Sequence, residues 1–444
     1  MGNDCLMKLS VLVPKQTDRL RYIFDLMLGD LLGIDFELYT NAERFASVEG
    51  PKLNYGCERV GQEPLQKAVN LLFERNIVEQ DIKTIDFEGT KALFPVYGKD
   101  NLMPFDVFAA SFYLVSRYEE YLPHVSDKFG RFKAESTWMF ENGMLQKPLV
   151  NIWTMKLGER LQSQYPELQL KKRKFSFLPT YDVDAAWAYK HKGFLRTSAS
   201  FLKNLAARDF NLIKERHQVL FRHRRDPFDS FDLLFDLQKK YSLHPIFFIL
   251  CGDYDTNDKS ISIRNDAFQA LIKRIGDYAD VGIHPSFASY LDSEKLRVEL
   301  ERLSSVLNRD VTKSRQHFLR MNLPRSYQKL IELDVKDDYT MGFASQAGFR
   351  AGIADAFPFF DLENDVVTPL VVHPFALMDG TMRDYLNLNV DDSFSLACRL
   401  VDEVKAVNGT FIYLTHNETL GGEKRCISIY FSDVQGFTTI SEHL

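Results

Sequence analysis

The chain has 444 residues, of which 45% are hydrophobic and 26% charged, and its formal net charge at pH 7 is -6. This length allows two or three domains, and the net charge argues against general attraction to nucleic acid or anionic membranes, with local basic patches left open. The five cysteines are far apart without metal-binding spacing, which is typical of reduced thiols. We find no secretory signal and no apolar run long enough to span a bilayer, so the sequence predicts a cytoplasmic protein.

The first part of the chain, residues 1–165, is expected to form a small α/β domain of unknown function. Residues 8–14 read as a strand, and residues 17–32 follow as an amphipathic helix. Residues 104–122 carry apolar side chains at helical spacing, which predicts a well-buried helix. Tyr118, Glu119 and Glu120, near its end, are expected on the surface of this helix, with polar contacts as the alternative.

A polar segment at residues 162–174 marks the predicted domain boundary, and a strand over residues 175–184 follows it. This strand ends in Asp182 and Asp184, whose side chains point to the same face because they lie two residues apart. Two adjacent carboxylates repel unless a cation or a shared proton relieves them, which indicates a metal ligand beside a general base. The alternative is a pair of solvated acids in a turn or helix cap.

The next segment, residues 190–225, is unusually basic. It contains ten Lys or Arg residues against Asp209 and Glu215, with apolar residues at helical intervals. We expect one or two helices that form a flap beside the strand end. Their basic face is either simply solvated or attracts an anionic substrate or polymer.

From residue 226 onward, helical and strand-like segments alternate. The predicted helices are 229–241, 266–278, 293–307, one that begins at 324, and 393–407, and the predicted strands are 244–251, 280–284, 314–321, 341–344, 368–373 and 410–415. Such alternation predicts a parallel sheet, and this many units suggest closure into a barrel. His284, His373 and His416 follow strands, where the chemistry of such barrels is located.

The order of these residues resembles the polysaccharide deacetylases with a NodB-type domain, carbohydrate esterase family 4. Residues 180–184 (Thr-Tyr-Asp-Val-Asp) resemble the first motif, Thr-Phe-Asp-Asp-Gly, and residues 245–250 resemble the second strand. Residues 413–416 (Tyr-Leu-Thr-His) resemble the closing Leu-x-His motif. The resemblance implies an α/β fold in which a NodB-type distorted (β/α)7 barrel over residues 172–422 follows the smaller α/β domain.

The resemblance also implies site roles. Asp182 would be the general base, Asp184 and His284 metal ligands, and His416 the general acid. Arg315 would orient the base, a role for which Arg320 competes.

One position departs from the family pattern, because Ala288 stands where the family has its second histidine ligand. On an extended strand His317 faces the same way as Arg315, so His317 could complete an Asp-His-His site. Ser289 and His373 are weaker candidates for the third ligand. A degenerate, metal-free site is the remaining alternative.

The implied activity is that of a metal-dependent hydrolase that removes an acetyl group from an amino sugar, with a divalent ion, Zn²⁺ by preference, as cofactor. The expected substrate is an N-acetylated sugar, nucleotide- or lipid-linked. Arg350, His373 and Asp379 are expected to bind it, since they lie in loops after strands. The rival interpretation, supported by Ala288, is a carbohydrate-binding or scaffold protein that has lost hydrolysis.

The C-terminal tail, residues 423–444, carries a separate resemblance. Residues 427–442 resemble the first strand and turn of class III nucleotide cyclases, in which the residue matching Asp433 binds a metal. Only 11 residues follow Asp433, too few to build a nucleotide site, so we do not expect cyclase activity.

Overall fold

The computed structural model of the protein describes residues 8–56, 58–290 and 292–420. The cyclase-like tail, residues 423–444 with Asp433, lies outside the described residues. Among the described helices, none combines the length and the apolar character needed to cross a membrane.

The N-terminal part contains a four-stranded parallel sheet and a separate antiparallel hairpin. Its strands are β1 (Leu9–Leu12), β2 (Phe36–Tyr39), β3 (Lys52–Gly56), β4 (Leu65–Lys67), β5 (Thr84–Phe87) and β6 (Thr90–Leu93), and its helices are α1 (Asp18–Phe24), α2 (Ala42–Ser47), α3 (Val107–Val115), α4 (Trp138–Glu141) and α5 (Leu149–Gln164). The sheet order is β2-β1-β3-β4, and β5 pairs with β6. Thr17 starts α1, because its hydroxyl accepts a hydrogen bond from the backbone N–H of Leu20. The predicted opening of an α/β unit is confirmed.

The helix predicted over residues 104–122 is shorter than expected. Every residue of α3 is buried, and a 3-10 helix at Tyr118–Tyr121 follows it. Glu120 lies in this second turn and is buried, so its predicted solvent exposure is wrong. The reason is tertiary: Arg350, more than two hundred residues later, pairs with it.

The C-terminal part is built on a nine-stranded sheet flanked by helices. Its strands are β7 (Ser176–Val183), β8 (Ile246–Ile249), β9 (Asp280–Ile283), β10 (Lys313–Ser314), β11 (Asp337–Asp338), β12 (Phe357–Asp361), β13 (Val366–Val372), β14 (Leu377–Met378) and β15 (Thr410–His416), and its helices are α6 (Phe194–Ala206), α7 (Phe210–Phe221), α8 (Phe231–Tyr241), α9 (Asp266–Tyr278), α10 (Ser293–Leu307), α11 (Arg325–Glu332) and α12 (Val390–Ala406). The order is β12-β13-β11-β10-β9-β8-β7-β15-β14. All neighbours pair in parallel except β12 with β13.

The α/β prediction is confirmed, with corrections to individual strands. The strand predicted over 314–321 is limited to β10, because a 3-10 helix at His317–Leu319 interrupts the extended backbone. Residues 341–344 form no strand, and β12 was not predicted. Within the described residues no hydrogen-bonded pairing joins the edge strands β12 and β14, so the closed (β/α)7 barrel stays a prediction.

The two faces of the large sheet have different surroundings. Alternate residues of β7 and β8, such as Tyr181 and Phe247, pack in the large core with the helices. The opposite face buries a second, smaller cluster that includes Phe248, Leu414 and Tyr339. This inner face carries the polar site described below at its carboxyl-end edge.

The two parts of the chain share one hydrophobic core, which runs from β1 to residue 420. Polar contacts also cross between them: Arg19 Nε lies 2.6 Å from Asp365 Oδ1, and Tyr22 Oη donates to the carbonyl of Pro358 at 2.8 Å. The N-terminal part is therefore packed firmly against the large sheet. The domain boundary between residues 165 and 172 stays a prediction.

Candidate functional site

The predicted site residues lie along one edge of the large sheet. β7 carries Asp182 and leads directly to Asp184, and His284 immediately follows β9. His317 follows β10, and His416 ends β15. Because these strands are parallel, their carboxyl ends bring all five side chains to the same region.

Three of these side chains form a compact group, here called the Asp184 cluster (Asp184, His284 and His317). One ligand atom from each lies within 4.8 Å of the other two. His284 Nε2 is 3.2 Å from Asp184 Oδ1, and His317 Nε2 is 3.3 Å from Asp184 Oδ2. Both histidines are buried. The structure thus brings the predicted third ligand, His317, to the other two.

The hydrogen bonds behind the histidines determine which nitrogen faces Asp184. His284 Nδ1 lies 2.5 Å from the backbone oxygen of Arg315, and His317 Nδ1 lies 2.9 Å from Asp258 Oδ1. Both partners are acceptors, so each Nδ1 carries a proton and donates. In the neutral rings, each Nε2 therefore directs a lone pair toward a carboxylate oxygen.

This arrangement leaves the negative charge of Asp184 incompletely balanced, and a bound cation would balance it. Asp184 Oδ1 is buried and makes no hydrogen bond among the described residues. Two imidazole nitrogens and one carboxylate are a donor set that Zn²⁺ accepts, and outer partners on Nδ1 are usual for metal-binding histidines. The residues present therefore fit a divalent metal ion.

The pKa values of Asp184 and His317 also indicate that Asp184 requires a positive charge beside it. Burial alone would raise the pKa of Asp184, but the charge of His317 and the close contacts with both histidines hold it well below its ordinary value. Burial would likewise lower the pKa of His317, yet Asp184 and Asp258 raise it to about 9. Without a metal ion, a proton on His317 supplies the positive charge that Asp184 requires.

The second aspartate, Asp182, is anchored by an arginine beneath it. Arg315 Nη1 donates to Asp182 Oδ1 at 2.9 Å and to Thr180 Oγ1 at 2.8 Å. The guanidinium is fully buried and lies 4.5 Å from the centre of the Phe248 ring. The other carboxylate oxygen, Oδ2, is 3.8 Å from His284 Nε2. Asp182 is thus fixed by one oxygen and presents the other toward the Asp184 cluster.

His416 is paired with Asp379. Its Nδ1 lies 2.7 Å from Asp379 Oδ1, and its backbone N–H donates to Asp379 Oδ2 at 2.8 Å. Burial would lower the pKa of His416, but Asp379, Asp184 and Asp182 together raise it well above its ordinary value. His416 is therefore held as an imidazolium whose Nε2 remains available for a ligand.

A cavity of ≈ 310 Å³ lies over these groups. Asp182, Asp184, His284, His317 and His416 line it, together with polar side chains that include Arg383 and Glu418. The cavity thus places both predicted proton-transfer groups and the Asp184 cluster around one space.

The N-terminal part supplies one wall of this cavity through Arg131. Arg131 Nη1 donates to the backbone oxygen of Phe318 at 2.9 Å, and Nη2 contacts Tyr385 Oη at 3.1 Å. Asp127 holds the same guanidinium through Nε at 2.7 Å. Sequence reasoning missed this contribution, because Arg131 is distant in sequence from every motif.

The three predicted substrate-binding residues do not line the cavity among the described residues. Arg350 is buried against Glu120, with Nη2 2.5 Å from Oε2. His373 stacks on Tyr339 and lies 2.8 Å from an oxygen of Asp337. Asp379 sits behind His416, as described above. All three residues thus have partners within the protein, and Arg350 also lines a neighbouring cavity of ≈ 650 Å³. Their role in substrate binding stays a prediction.

Ser289, the weaker candidate for the third ligand, and Arg320, the rival candidate for orienting the base, also have other partners. The Ser289 hydroxyl donates to the backbone oxygen of Ser286 at 2.9 Å. Arg320 Nε donates to the backbone oxygen of Phe129 at 2.9 Å and its guanidinium lies over Tyr290, whereas Arg315 is the arginine bound to Asp182.

Asp258 is a site residue that the sequence interpretation missed. It is fully buried in the loop after β8, where it accepts hydrogen bonds from the backbone N–H groups of Phe287 (2.8 Å) and Ala288 (3.1 Å) while it orients His317. Position 288 thus serves the site through its backbone. No signal in the sequence separates Asp258 from Asp253 and Asp255, which also follow β8.

Comparisons with known proteins find a family model for the N-terminal part and similar solved structures. Residues 9–166 match the model of a family of unknown function (DUF7033). No curated protein matches the sequence.

Among solved structures, similarity extends over most of the chain at low identity. A protein assigned as a polysaccharide deacetylase from Mycobacterium smegmatis shares 14% identity, with 62% of this chain and 91% of the other covered and a TM-score of 0.40. PuuE allantoinase shares 10% identity, with 61% and 84% covered and a TM-score of 0.38. The polysaccharide deacetylase Bc1974 from Bacillus cereus shares 12% identity, with 61% and 89% covered and a TM-score of 0.29. Because all three TM-scores are below 0.5, we base the functional proposal on the site residues.

Proposed function

We propose that the protein is a metal-dependent hydrolase that removes an acyl group, acetyl by preference, from an amino sugar. The observation that carries this proposal is the Asp184 cluster, in which two imidazole Nε2 atoms face one carboxylate that lacks a hydrogen bond to Oδ1. Asp184, His284 and His317 would hold the divalent ion, with Zn²⁺ favoured by the donor set. When bound, the ion would supply Lewis acidity and a lowered pKa of water.

Asp182 is proposed as the general base. Its carboxylate lines the cavity, and Arg315 fixes its orientation from below. A carboxylate in this position can accept the proton of the attacking water as the water adds to the acyl carbon.

His416 is proposed as the general acid. Asp379 holds Nδ1, which leaves Nε2 as the nitrogen that can give a proton to a ligand in the cavity. Because the pKa of His416 is raised, the ring carries that proton at neutral pH. Its transfer to the leaving amine nitrogen completes cleavage of the C–N bond and releases the free amino sugar.

The proposed substrate class rests on the motif resemblance and on the shape and polarity of the cavity. A volume of ≈ 310 Å³ lies at the small end of ligand sites, which suits one sugar ring with its acyl group. Arg131, Arg383 and Glu418 provide donors and acceptors for hydroxyl groups. We propose an N-acetylated sugar as the substrate, linked to a nucleotide or to a lipid.

The test is metal binding and acetate release on the same preparation. Purified protein is stripped with a chelator, titrated with Zn²⁺ by calorimetry and assayed for acetate release from a panel of N-acetylated sugars. We expect one metal ion per chain, activity only after reloading, and loss of both in the variants Asp184→Ala and His284→Ala. His373→Ala is the matched control, because His373 also ends a strand and pairs with an aspartate but lies outside the cavity.

Two outcomes would change the proposal. Failure of the wild-type protein to bind any divalent ion would overturn it. One bound ion without acetate release across the panel would instead favour the degenerate carbohydrate-binding protein.

A further inference from the structure

The basic segment after β7 folds into the helix pair α6 and α7, which leaves an unusual amount of apolar surface exposed. Of eighteen large hydrophobic side chains exposed in the described part of the chain, seven belong to this pair. They are Phe194, Phe201, Leu202, Leu205, Phe210, Leu212 and Phe221. Such a concentration of exposed apolar groups marks an interaction surface.

On α6 the exposed groups form one stripe. Phe194, Phe201, Leu202 and Leu205 are spaced by seven, eight and eleven residues, which places them on one side of a helix with 3.6 residues per turn. Phe194 is 84% exposed and Leu202 62% exposed. α6 therefore presents an apolar face away from the protein.

The same region carries a strong positive charge. Residues 190–225 hold ten Lys or Arg residues against two acids, although the whole chain is negative. Within the ranges that the structure describes, Lys203, Arg208, Lys214 and Arg222 are exposed and form no ion pair. These four charges are free to meet an anionic partner.

The helix pair is braced internally. The buried Arg216 of α7 donates to the backbone oxygen of Thr197 at 3.0 Å and to Ser200 Oγ at 2.5 Å, which ties α7 to α6. Asp226, just after α7, accepts hydrogen bonds from the backbone N–H groups of Ala188 and Tyr189, just before α6. Hydrogen bonds therefore hold α6 and α7 together and join the segments that precede and follow the pair.

That base adjoins the cavity. Asn417, next to His416, donates from its side chain to the backbone oxygens of Ala185 and Phe228 on either side of the helix pair. The neighbouring Glu418 lines the cavity itself. Whatever binds α6 and α7 is thus held near the cavity.

We infer that α6 and α7 dock on the surface of an anionic lipid bilayer. The apolar stripe of α6 enters the boundary between headgroups and acyl chains, and the exposed lysines and arginines of the helix pair contact lipid phosphates. The apolar stripe of α6 and the unpaired positive charge of the helix pair together match this partner, since such a surface offers both apolar depth and negative charge. The inference does not depend on the chemistry proposed for the cavity.

The experiment is co-sedimentation of the full-length protein with vesicles. Vesicles of phosphatidylcholine alone are compared with vesicles of phosphatidylcholine and phosphatidylglycerol, at increasing salt. We expect binding to the anionic vesicles that weakens as salt rises, because exposed charges are screened. Asp184→Ala should bind as wild type does, which separates this test from the proposed hydrolase function.

Two sets of substitutions identify the surface. Phe194→Ser combined with Leu202→Ser should lower vesicle binding at least about tenfold, since two large apolar groups no longer enter the membrane. Lys214→Glu should lower binding to anionic vesicles by roughly fivefold or more, because Lys214 shares one side of α7 with the exposed Phe210 and Phe221, and each basic residue near the surface contributes about that factor. Val60→Ser combined with Val78→Ser, which removes exposed apolar groups elsewhere, should have no effect.

Two results would overturn the inference. The first is absence of wild-type binding to anionic vesicles at low salt, in which case sedimentation velocity would show whether the stripe joins two copies of the chain instead. The second is wild-type binding that the Phe194 and Leu202 substitutions leave unchanged.

Discussion

Two buried groups of charged side chains in this protein have opposite designs. The Glu120 cluster (Arg117, Glu120 and Arg350) joins the N-terminal part to the large sheet, and the Asp184 cluster lies at the edge of that sheet. In the Glu120 cluster, donors face acceptors: Arg117 Nε lies 2.7 Å from Glu120 Oε1, and Arg350 reaches both oxygens at 2.8 and 2.5 Å. In the Asp184 cluster, acceptors face each other around a space lined by His284 and His317.

The difference shows that buried charge by itself does not mark a functional site. Burial alone would raise the pKa of Glu120, but Arg350 and Arg117 lower it to about 2, so the carboxylate is fully compensated within the protein. Asp184 has only imidazoles beside it, and these neutralise it only by binding a proton or sharing a metal ion. A binding site is indicated where the protein leaves a buried charge without enough partners of its own to balance it.

The substitution Asp182→Asn, next to the Asp184 cluster, should have the largest effect, a loss of catalytic activity without loss of metal. It keeps an oxygen that can accept from Arg315 but removes the proposed base, so we expect kcat to fall by about 10²- to 10⁴-fold. Bound metal should stay at one ion per chain, since Asp182 is not in the proposed ligand set. Activity within tenfold of wild type would rule out Asp182 as the base.

The substitution Glu120→Gln tests the closed cluster. Below its ordinary pKa of 4.5, a free carboxyl gains a proton, whereas folded Glu120 resists protonation down to about 2. Its stabilising effect is therefore complete above pH 4.5 and is lost as pH falls toward 2. At neutral pH the variant should lose about 3 kcal/mol of unfolding free energy, with unchanged metal affinity.

Denaturant unfolding of both proteins from pH 7 to pH 2 measures this effect. The difference between wild type and variant should shrink as pH falls below 4.5. A difference that is independent of pH would show that Glu120 stabilises the fold by packing alone.

The substitution Asp258→Asn should have an intermediate effect on the open cluster. It removes the charge behind His317 while keeping an acceptor for the backbone N–H groups, so the metal affinity should fall by about 10- to 100-fold. Calorimetric titration with Zn²⁺ provides the measurement. Asp337→Asn is the matched control, because Asp337 pairs with His373 at 2.8 Å outside the cavity, and equal effects of the two would contradict the prediction.

The substitution Arg131→Ala should have the smallest effect. It removes one polar contact from the cavity wall, so KM should rise about fivefold with little change in kcat. Arg320→Ala is the control, since Arg320 also crosses between the two parts of the chain but does not line the cavity. Steady-state kinetics of both variants would test the contribution of the N-terminal part, and a loss of kcat alone would contradict it.

Much of the local structure was predictable, because it depends on neighbouring residues. The limits of α9 and α10 agree with the predicted 266–278 and 293–307, and β7 and β15 lie within one residue of prediction at each end. These elements have clear periodicity and recognisable ends. The predicted length of β10 was too great, because the apolar residues beyond Ser314 lie in a 3-10 turn instead of a strand.

The site was predictable only where a residue lay within a motif. His317 was one of several candidate ligands in the sequence, and its position beside Asp184 follows from the turn after β10 and from the hydrogen bond with Asp258. Asp258 and Arg131 lie in loops without periodicity. Their distance from the cavity depends on how those loops pack.

The sequence by itself determined the alternation of strands and helices, the two acids at the end of β7 and the histidines at later strand ends, because these follow from side-chain spacing and local propensity. Only the tertiary structure decided which buried charges compensate one another and which stay open to a ligand. Arg350 became a partner of Glu120, and His317 a partner of Asp184, through contacts between segments far apart in the chain. Electrostatic compensation acts over a few ångströms in space, so sequence spacing alone does not specify it.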